Sequence, residues 1–264
     1  MANNYTLGRG KIYFGKFGDD GVTPIGERYL GNTPECSFTI EAETLDHFSS
    51  DDGIKEKDDS VPLSTTRTGS FSTDNIDPAN LAYFFFGTDD VLSVTGATIT
   101  DEEIGPITQG MTYQIGTSPT VPQGQTNLTQ HTAPSTDVIV QDEATGLITY
   151  DAGDDYTVDL NTGQITIVDG GAIADNTSIL VTYKTTTQSI ARVVSGSTPI
   201  EGTMRFVSNN PKGKLYDYFM PWVKITPNGD FALKGDEWQV IPFNLEILKK
   251  TGYEAFYITE RAAP

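Results

Sequence analysis

Along most of this chain apolar and polar residues alternate, the period-2 signature of strands with one buried and one wet face. KIYFGKF (11–17) sets Ile12 and Phe14 against Tyr13, and ECSFTIEAE (35–43) sets Cys36, Phe38, Ile40 and Ala42 against Ser37, Thr39, Glu41 and Glu43. IEGTMRFVS (200–208) places Ile200, Met204 and Phe206 inward and Glu201, Thr203 and Arg205 outward. WQVIPFNLEIL (238–248) buries Ile241, Phe243, Leu245 and Ile247. Further strands are expected at KLYDYFMPWVKI (214–225), where Pro221 marks an edge or bulge, and at AFYIT (255–259). The period changes clearly once. In DPANLAYFFFG (77–87) Leu81, Phe84 and Phe85 fall at helical spacing, with Asp77 as N-cap, Pro78 opening the helix and Gly87 just past its end. These elements predict a mainly β fold, an antiparallel β-sandwich or barrel carrying one short helix at about 77–87.

Two stretches depart from that pattern. ETLDHFSSDDGIKEKDDS (43–60) has charge, small polar residues and one glycine but no period, and it predicts a long surface loop. Loops of this length in a compact domain are usually functional or disordered, and this one is expected to make contacts outside its own chain. The second departure is 91–187, a β-rich insertion dividing a main domain of 1–90 and 188–264. TVDLNTGQITIVD (157–169) reads as a hairpin about Asn161-Thr162-Gly163, and SILVTYK (178–184) as a strand. TGLITYDAG (145–153) and TGQITIVDGG (162–171) echo each other at 17 residues, which suggests two similar hairpin arms. GTSPTVPQGQTNLTQHTAPST (116–136) reads as loop.

Charge sharpens this division. The 264 residues carry 36 acidic and 17 basic side chains, a net −19. The insertion holds twelve acidic residues and one lysine, so −11 lies there and −8 elsewhere. Such a balance disfavours adhesion to nucleic-acid phosphates or anionic lipid, though it does not exclude proximity to DNA, because a wall that must not bind DNA is also best made acidic. Catalytic chemistry finds little support. Only His47 and His131 are present, and in Asp46-His47-Phe48-Ser49-Ser50 consecutive residues point in different directions and do not make a triad. One cysteine and two distant histidines give no zinc pattern, and Asp51-Asp52-Gly53 and Asp151–Asp155 lack calcium-loop spacing. No glycine-rich loop opens a helix, so no cofactor is expected. Cys36 cannot form an intrachain disulfide, and no segment is apolar enough for a signal sequence or a bilayer span, so folding in a cytoplasm is expected.

The ordered set formed by FTIEAETLDHFSS, Gly53 in an acidic stretch, DPANLAYFFFG, IEGTMRFVSNNPKG (200–213), Pro227-Asn228-Gly229 and IPFNLEIL (241–248) resembles the major tail tube proteins of long, non-contractile-tailed bacteriophages. The DYTVD…TG-I-I…V-Y pattern of 154–183 is similar to an insertion that accompanies many of them. The resemblance implies a β-sandwich subunit related in fold to type VI secretion tube proteins, with six copies in a ring and rings stacked into a tube for DNA ejection. It implies a virion location, assembly in the host cytoplasm, and contacts with tape measure, tail terminator and tail tip proteins. Ser37, Thr39, Glu41, Glu43, Thr203 and Arg205 are then expected to face the lumen. Leu45, Asp46, His47, Phe48, Asp51, Asp52, Ile54, Lys55 and Lys57 are expected to reach a neighbouring ring, with the insertion on the exterior. A carbohydrate- or surface-binding β-sandwich module, with Tyr216, Tyr218 and Trp222 as an aromatic platform, is the alternative.

Overall fold

The structure, a computed structural model, describes residues 5–51, 53–129 and 138–262. Asp52 and His131 lie outside them. The chain forms two compact units, Met1–Asp90 with Ala191–Pro264, and Val91–Ile190. The first opens with β1 (Gly10–Lys16), β2 (Arg28–Tyr29), β3 (Glu35–Ser49) and β4 (Glu56–Thr73), followed by α1 (Pro78–Phe84) and β5 (Thr88–Val94). Next come β6 (Thr98–Ile104), β7 (Thr112–Gln114), β8 (Leu128–Thr129) and β9 (Ile139–Asp142). β10 (Tyr156–Asp159), β11 (Gln164–Ile167) and β12 (Ile179–Thr185) complete the second unit. The chain returns through β13 (Gln188–Val194) to β14 (Ile200–Ser208), β15 (Leu215–Pro227), β16 (Ile241–Ile247) and β17 (Tyr257–Arg261).

The first unit is one eight-stranded sheet in the order β2-β1-β14-β15-β16-β4-β3, with β17 also paired to β15. The pairings between its strands are antiparallel. The predicted alternation gives its apolar side: Ile12 and Phe14, Met204, Met220, Val223 and Ile225, Phe243, Leu245 and Ile247, and Phe71 form one buried cluster. Strands distant in the order share that cluster, so the sheet wraps around it. α1 fills the concave apolar side, with Tyr83 edge-on to Phe14 and Phe84 edge-on to Phe243. Pro221 sits where the β14–β15 register shifts, between the Met204↔Met220 and Gly202↔Val223 pairs, and where β15 changes its other neighbour from β17 to β16. A residue without an N–H suits that junction.

The helix is shorter than its spacing suggests. Its buried residues are Asn80, Ala82 and Phe84, while Phe85 is 43% exposed. A polar residue takes the inner face because its bonds are all made. The Asn80 amide donates to Leu30 O at 2.9 Å and Asn75 O at 2.8 Å, and its carbonyl accepts from Arg28. Asp77 caps the helix by accepting from Asn80 N at 2.7 Å and also receives the Arg28 guanidinium at 3.2 Å. Asp77→Ala is expected to lower stability by about 1–2 kcal/mol, read as a lower thermal midpoint with an unchanged native spectrum.

The second unit has its own core, in which Ile107, Ile115, Val140, Tyr156, Ile165, Ile179 and Val181 pack between the sheets β10-β11-β7 and β6-β12-β8. The 17-residue echo is a repeated turn. Asp142 and Asp159 each hold the residue three positions on through the side chain, and each carbonyl accepts from a left-handed glycine, Gly146 at 3.0 Å and Gly163 at 2.8 Å. β5 and β13 pair as a two-stranded ribbon where the chain leaves and re-enters the first unit. At that point Gly196 N donates to Phe85 O at 3.0 Å, and a Cβ on Gly87 would overlap Val194 O.

Candidate functional site

Residues 43–60 are not a loop. β3 and β4 stay in register from Glu35↔Ser72 to Ser49↔Glu56, with two one-residue irregularities, and between them only 50, 51 and 53–55 of the described residues lie outside the strands. The result is a ribbon arm extending beyond the body of the sheet. Cross-strand pairs hold it together. Lys57 reaches Asp46 at 2.6 Å, Ser60 donates to the same carboxylate at 2.8 Å, His47 Nδ1 lies 2.5 Å from Asp58, and Leu45 faces Val61. The Lys57 hydrogen bond, then that of Ser60, holds the Asp46 carboxyl below the usual carboxylate range.

Both faces of the arm are open to solvent, including its apolar residues. Ile40 is 64% exposed, Leu45 62%, Phe48 49%, Ile54 78% and Val61 52%. The expected inward direction of Ile40 and Ala42 is therefore corrected. The body of the sheet ends near Phe38, which packs on Phe256, and beyond it none of the described residues covers that side. Asp51 and Lys55 lie in the exposed turn. β3 is also the last strand of the sheet, so among the described residues no strand lies beside its outer row of backbone groups. Such an edge is a template for pairing with another chain. Cys36, at the base of the arm, packs against the core, and burial pushes its thiol up to about 11.

The polar side of β3 continues across the sheet. Ser37 and Ser70 hydroxyls meet at 3.2 Å, Thr39 faces Thr68, Glu41 faces Thr66, and Glu43 accepts from Ser64 at 3.1 Å. With Thr226, Asn244, Lys224 and Glu246 the inner part of this side lines an open concavity of about 680 Å³. Lys224 and Glu246 are 3.8 Å apart, Arg67 and Lys249 also line it, Lys249 being paired with Glu254 at 3.0 Å, and most of the remaining lining is hydroxyl and amide.

Two expected members of this wet side differ. Thr203 is 6% exposed, because it lies at the β14–β15 irregularity and packs against Gly15, where a Cβ would approach its Oγ1 at 2.8 Å. Arg205 is partly exposed but engaged: Glu27 binds it through both oxygens at 2.8–3.1 Å, and its guanidinium lies 4.6 Å from the Phe219 ring centroid. The Glu27 hydrogen bonds raise its pKa above the ordinary arginine value. Sequence reasoning missed the uncharged Thr68, Ser70, Thr226 and Asn244, which carry no motif and are brought to Ser37 and Thr39 only by strand register.

Tyr216, Tyr218 and Trp222 make no exposed platform. All three are half-buried; Tyr218 packs on Phe206, and Trp222 packs edge-on to Phe17 and donates to Glu201 at 2.8 Å. Among the described residues no group of three or more His, Cys, Asp or Glu side chains is placed to hold a metal ion. Also among them, no helix is long and apolar enough to cross a membrane. No curated protein matches the chain. A family model described as "protein of unknown function UCP028589" matches residues 5–254, and the chain belongs to that family.

Proposed function

We propose that this chain is a structural subunit that assembles with copies of itself into rings stacked as a tube, the part played by a phage major tail tube protein, with DNA passing through the lumen. The β3–β4 arm carries this proposal. A two-stranded ribbon wet on both faces is marginal in water, and exposed Leu45, Phe48, Ile54 and Val61 gain nothing within one chain. Both features are explained if a neighbouring copy covers them. The open edge of β3 offers that neighbour a strand to pair with, and the hydroxyl- and amide-rich side of the sheet, where Arg67, Lys224 and Lys249 are set against Glu246 and the bordering Glu41 and Glu43, suits a wall without net attraction for phosphate. The insertion, with its own core and −11 of the charge, is assigned to the tube exterior.

Negative-stain imaging of the purified chain at rising concentration tests the proposal: stacked rings are expected, and a monomer that is retained on glycan would favour a surface-binding module instead. The lumen assignment has its own test. Glu41→Lys with Glu43→Lys is expected to leave assembly intact but to make the channel adhesive, so that DNA ejection slows and recovers as salt is raised. Unchanged ejection at low salt would remove these residues from the lumen.

A further inference from the structure

We infer that copies of this chain dock head to tail, an acidic apolar patch at one end of the eight-stranded sheet meeting a basic apolar patch at the other. The inference rests on the tube proposal and deepens it by naming the surfaces that meet between stacked copies. The register places the patches. β4 ends and β16 begins side by side, at Thr73↔Ile241, and residues 228–240 span that end of the sheet. β1 begins and β14 ends at the opposite end, at Gly10↔Ser208, since Ile200 at the start of β14 faces Ile225 near the end of β15.

At the first end Trp238 is 93% exposed and Leu233 76%. Asp74, Ile76 and Glu237 line one hollow with Trp238, and Asp230, Asp236 and one base, Lys234, lie in the same loop, which leaves this end acidic. The loop is held in place: Phe231 packs on Phe84, the Gln239 amide donates to Ala232 O at 2.9 Å, and Asn228 N donates to Pro242 O at 3.1 Å. At the opposite end Tyr5 is 68% exposed and Leu7 52%. Leu7 N donates to Lys212 O at 3.1 Å, and Asn209 N to Arg9 O at 2.7 Å, which gathers Arg9 and Lys212 beside these apolar side chains. Among the described residues neither Arg9 nor Lys212 is ion-paired, nor are Asp74, Asp230, Asp236 and Glu237.

The occupant of each patch is therefore a second copy. A chain of net −19 repels its copies over most of its surface, and an unpaired basic end is where the acidic end of another copy lands favourably. Each end adds exposed aromatic or aliphatic area, the material of an interface centre. The two patches differ, so the contact is heterologous and does not close as a two-fold pair; because they lie at opposite ends of the strands, it is assigned to the stack of rings rather than to the ring itself.

The test uses the full chain, followed by sedimentation and negative stain. Asp236→Lys with Glu237→Lys, Arg9→Glu with Lys212→Glu, and Trp238→Ala are each expected to raise the concentration needed for stacking roughly tenfold or more, with rings still forming and the melting temperature unchanged. Trp238 is too exposed for its loss to unfold the chain. Combining all four charge reversals in one chain is expected to restore stacking. If the wild type stacks and every variant stacks at the same concentration, the head-to-tail contact is wrong while the tube proposal stands. If the four-fold reversal does not restore stacking, charge pairing between these two ends is wrong. A wild type that stays monomeric under all conditions overturns the tube proposal, and this contact with it.

Discussion

A chain in which residues 45–61 are replaced by a two-residue Asn-Gly turn is expected to fold as a soluble monomer and to form no tube at any accessible concentration. Nothing in the core is lost by this change. β4 first contributes a buried side chain at Phe71, and β3 joins the core cluster through Cys36 and Phe38. What disappears is Leu45, Phe48, Ile54 and Val61, the exposed apolar residues toward the end of the arm. Amide exchange on the unaltered chain gives the complementary result. Ribbon amides beyond Ala42 and Thr65 are expected to exchange fast in the monomer, because few buried contacts oppose local opening, and slowly in the tube. Tubes assembled by the shortened chain, or equal exchange in both states, would show that the arm is not the assembly element.

Phe243→Ala is expected to cost about 3–5 kcal/mol in one half of the molecule only. Phe243 is 1% exposed, stacks on Phe71 at 4.9 Å and meets Phe84 edge-on at 6.2 Å, so truncation opens a cavity that three elements line. The core around Ile165 and Tyr156 is a separate cluster. Calorimetry should therefore show two transitions, with Phe243→Ala lowering one and Ile165→Ala the other. A common shift of both would mean that the units unfold together.

Where one face is dry, the alternation of residue types announced the strands. Ile12 and Phe14, Cys36 and Phe38, and the run Ile241 to Ile247 all take the predicted side. The same rule failed on the arm for a physical reason: a ribbon wet on both faces needs no inside residues, so its pairing is written only across strands, as in Asp46 with Lys57 and Ser60. Read along the chain, those residues look like an unpatterned acidic loop. Thr203 was misplaced because a register shift changes what covers a residue without changing its neighbours in sequence. Asn80 shows the converse, a polar residue buried because Leu30, Asn75 and Arg28 satisfy it. The polar concavity was half legible, since Ser37 and Thr39 were visible on their strand while Asn244 and Thr226 joined them through pairing alone. The echo at 17 residues suggests two similar hairpin arms, and what repeats is the turn: Ile148 is 56% exposed where its counterpart Ile165 is fully buried. β11 has β7 on its other side, and the segment around Ile148 has no such neighbour among the described strands.

Phe85–Gly87 meets Val194–Gly196 where the chain leaves and re-enters the first unit. Because the backbone leaves and rejoins the first unit at a single point, the second unit behaves as a cassette whose size is not constrained by the scaffold. Joining Asp90 to Ala191 through a short linker closes a gap the β5–β13 ribbon already spans, and an unrelated domain with adjacent termini fits the same socket. If the scaffold polymerises, every turn of the polymer displays whatever the cassette holds at a regular spacing. The ornament can then diverge, or be redesigned, without renegotiating the contacts that build the polymer.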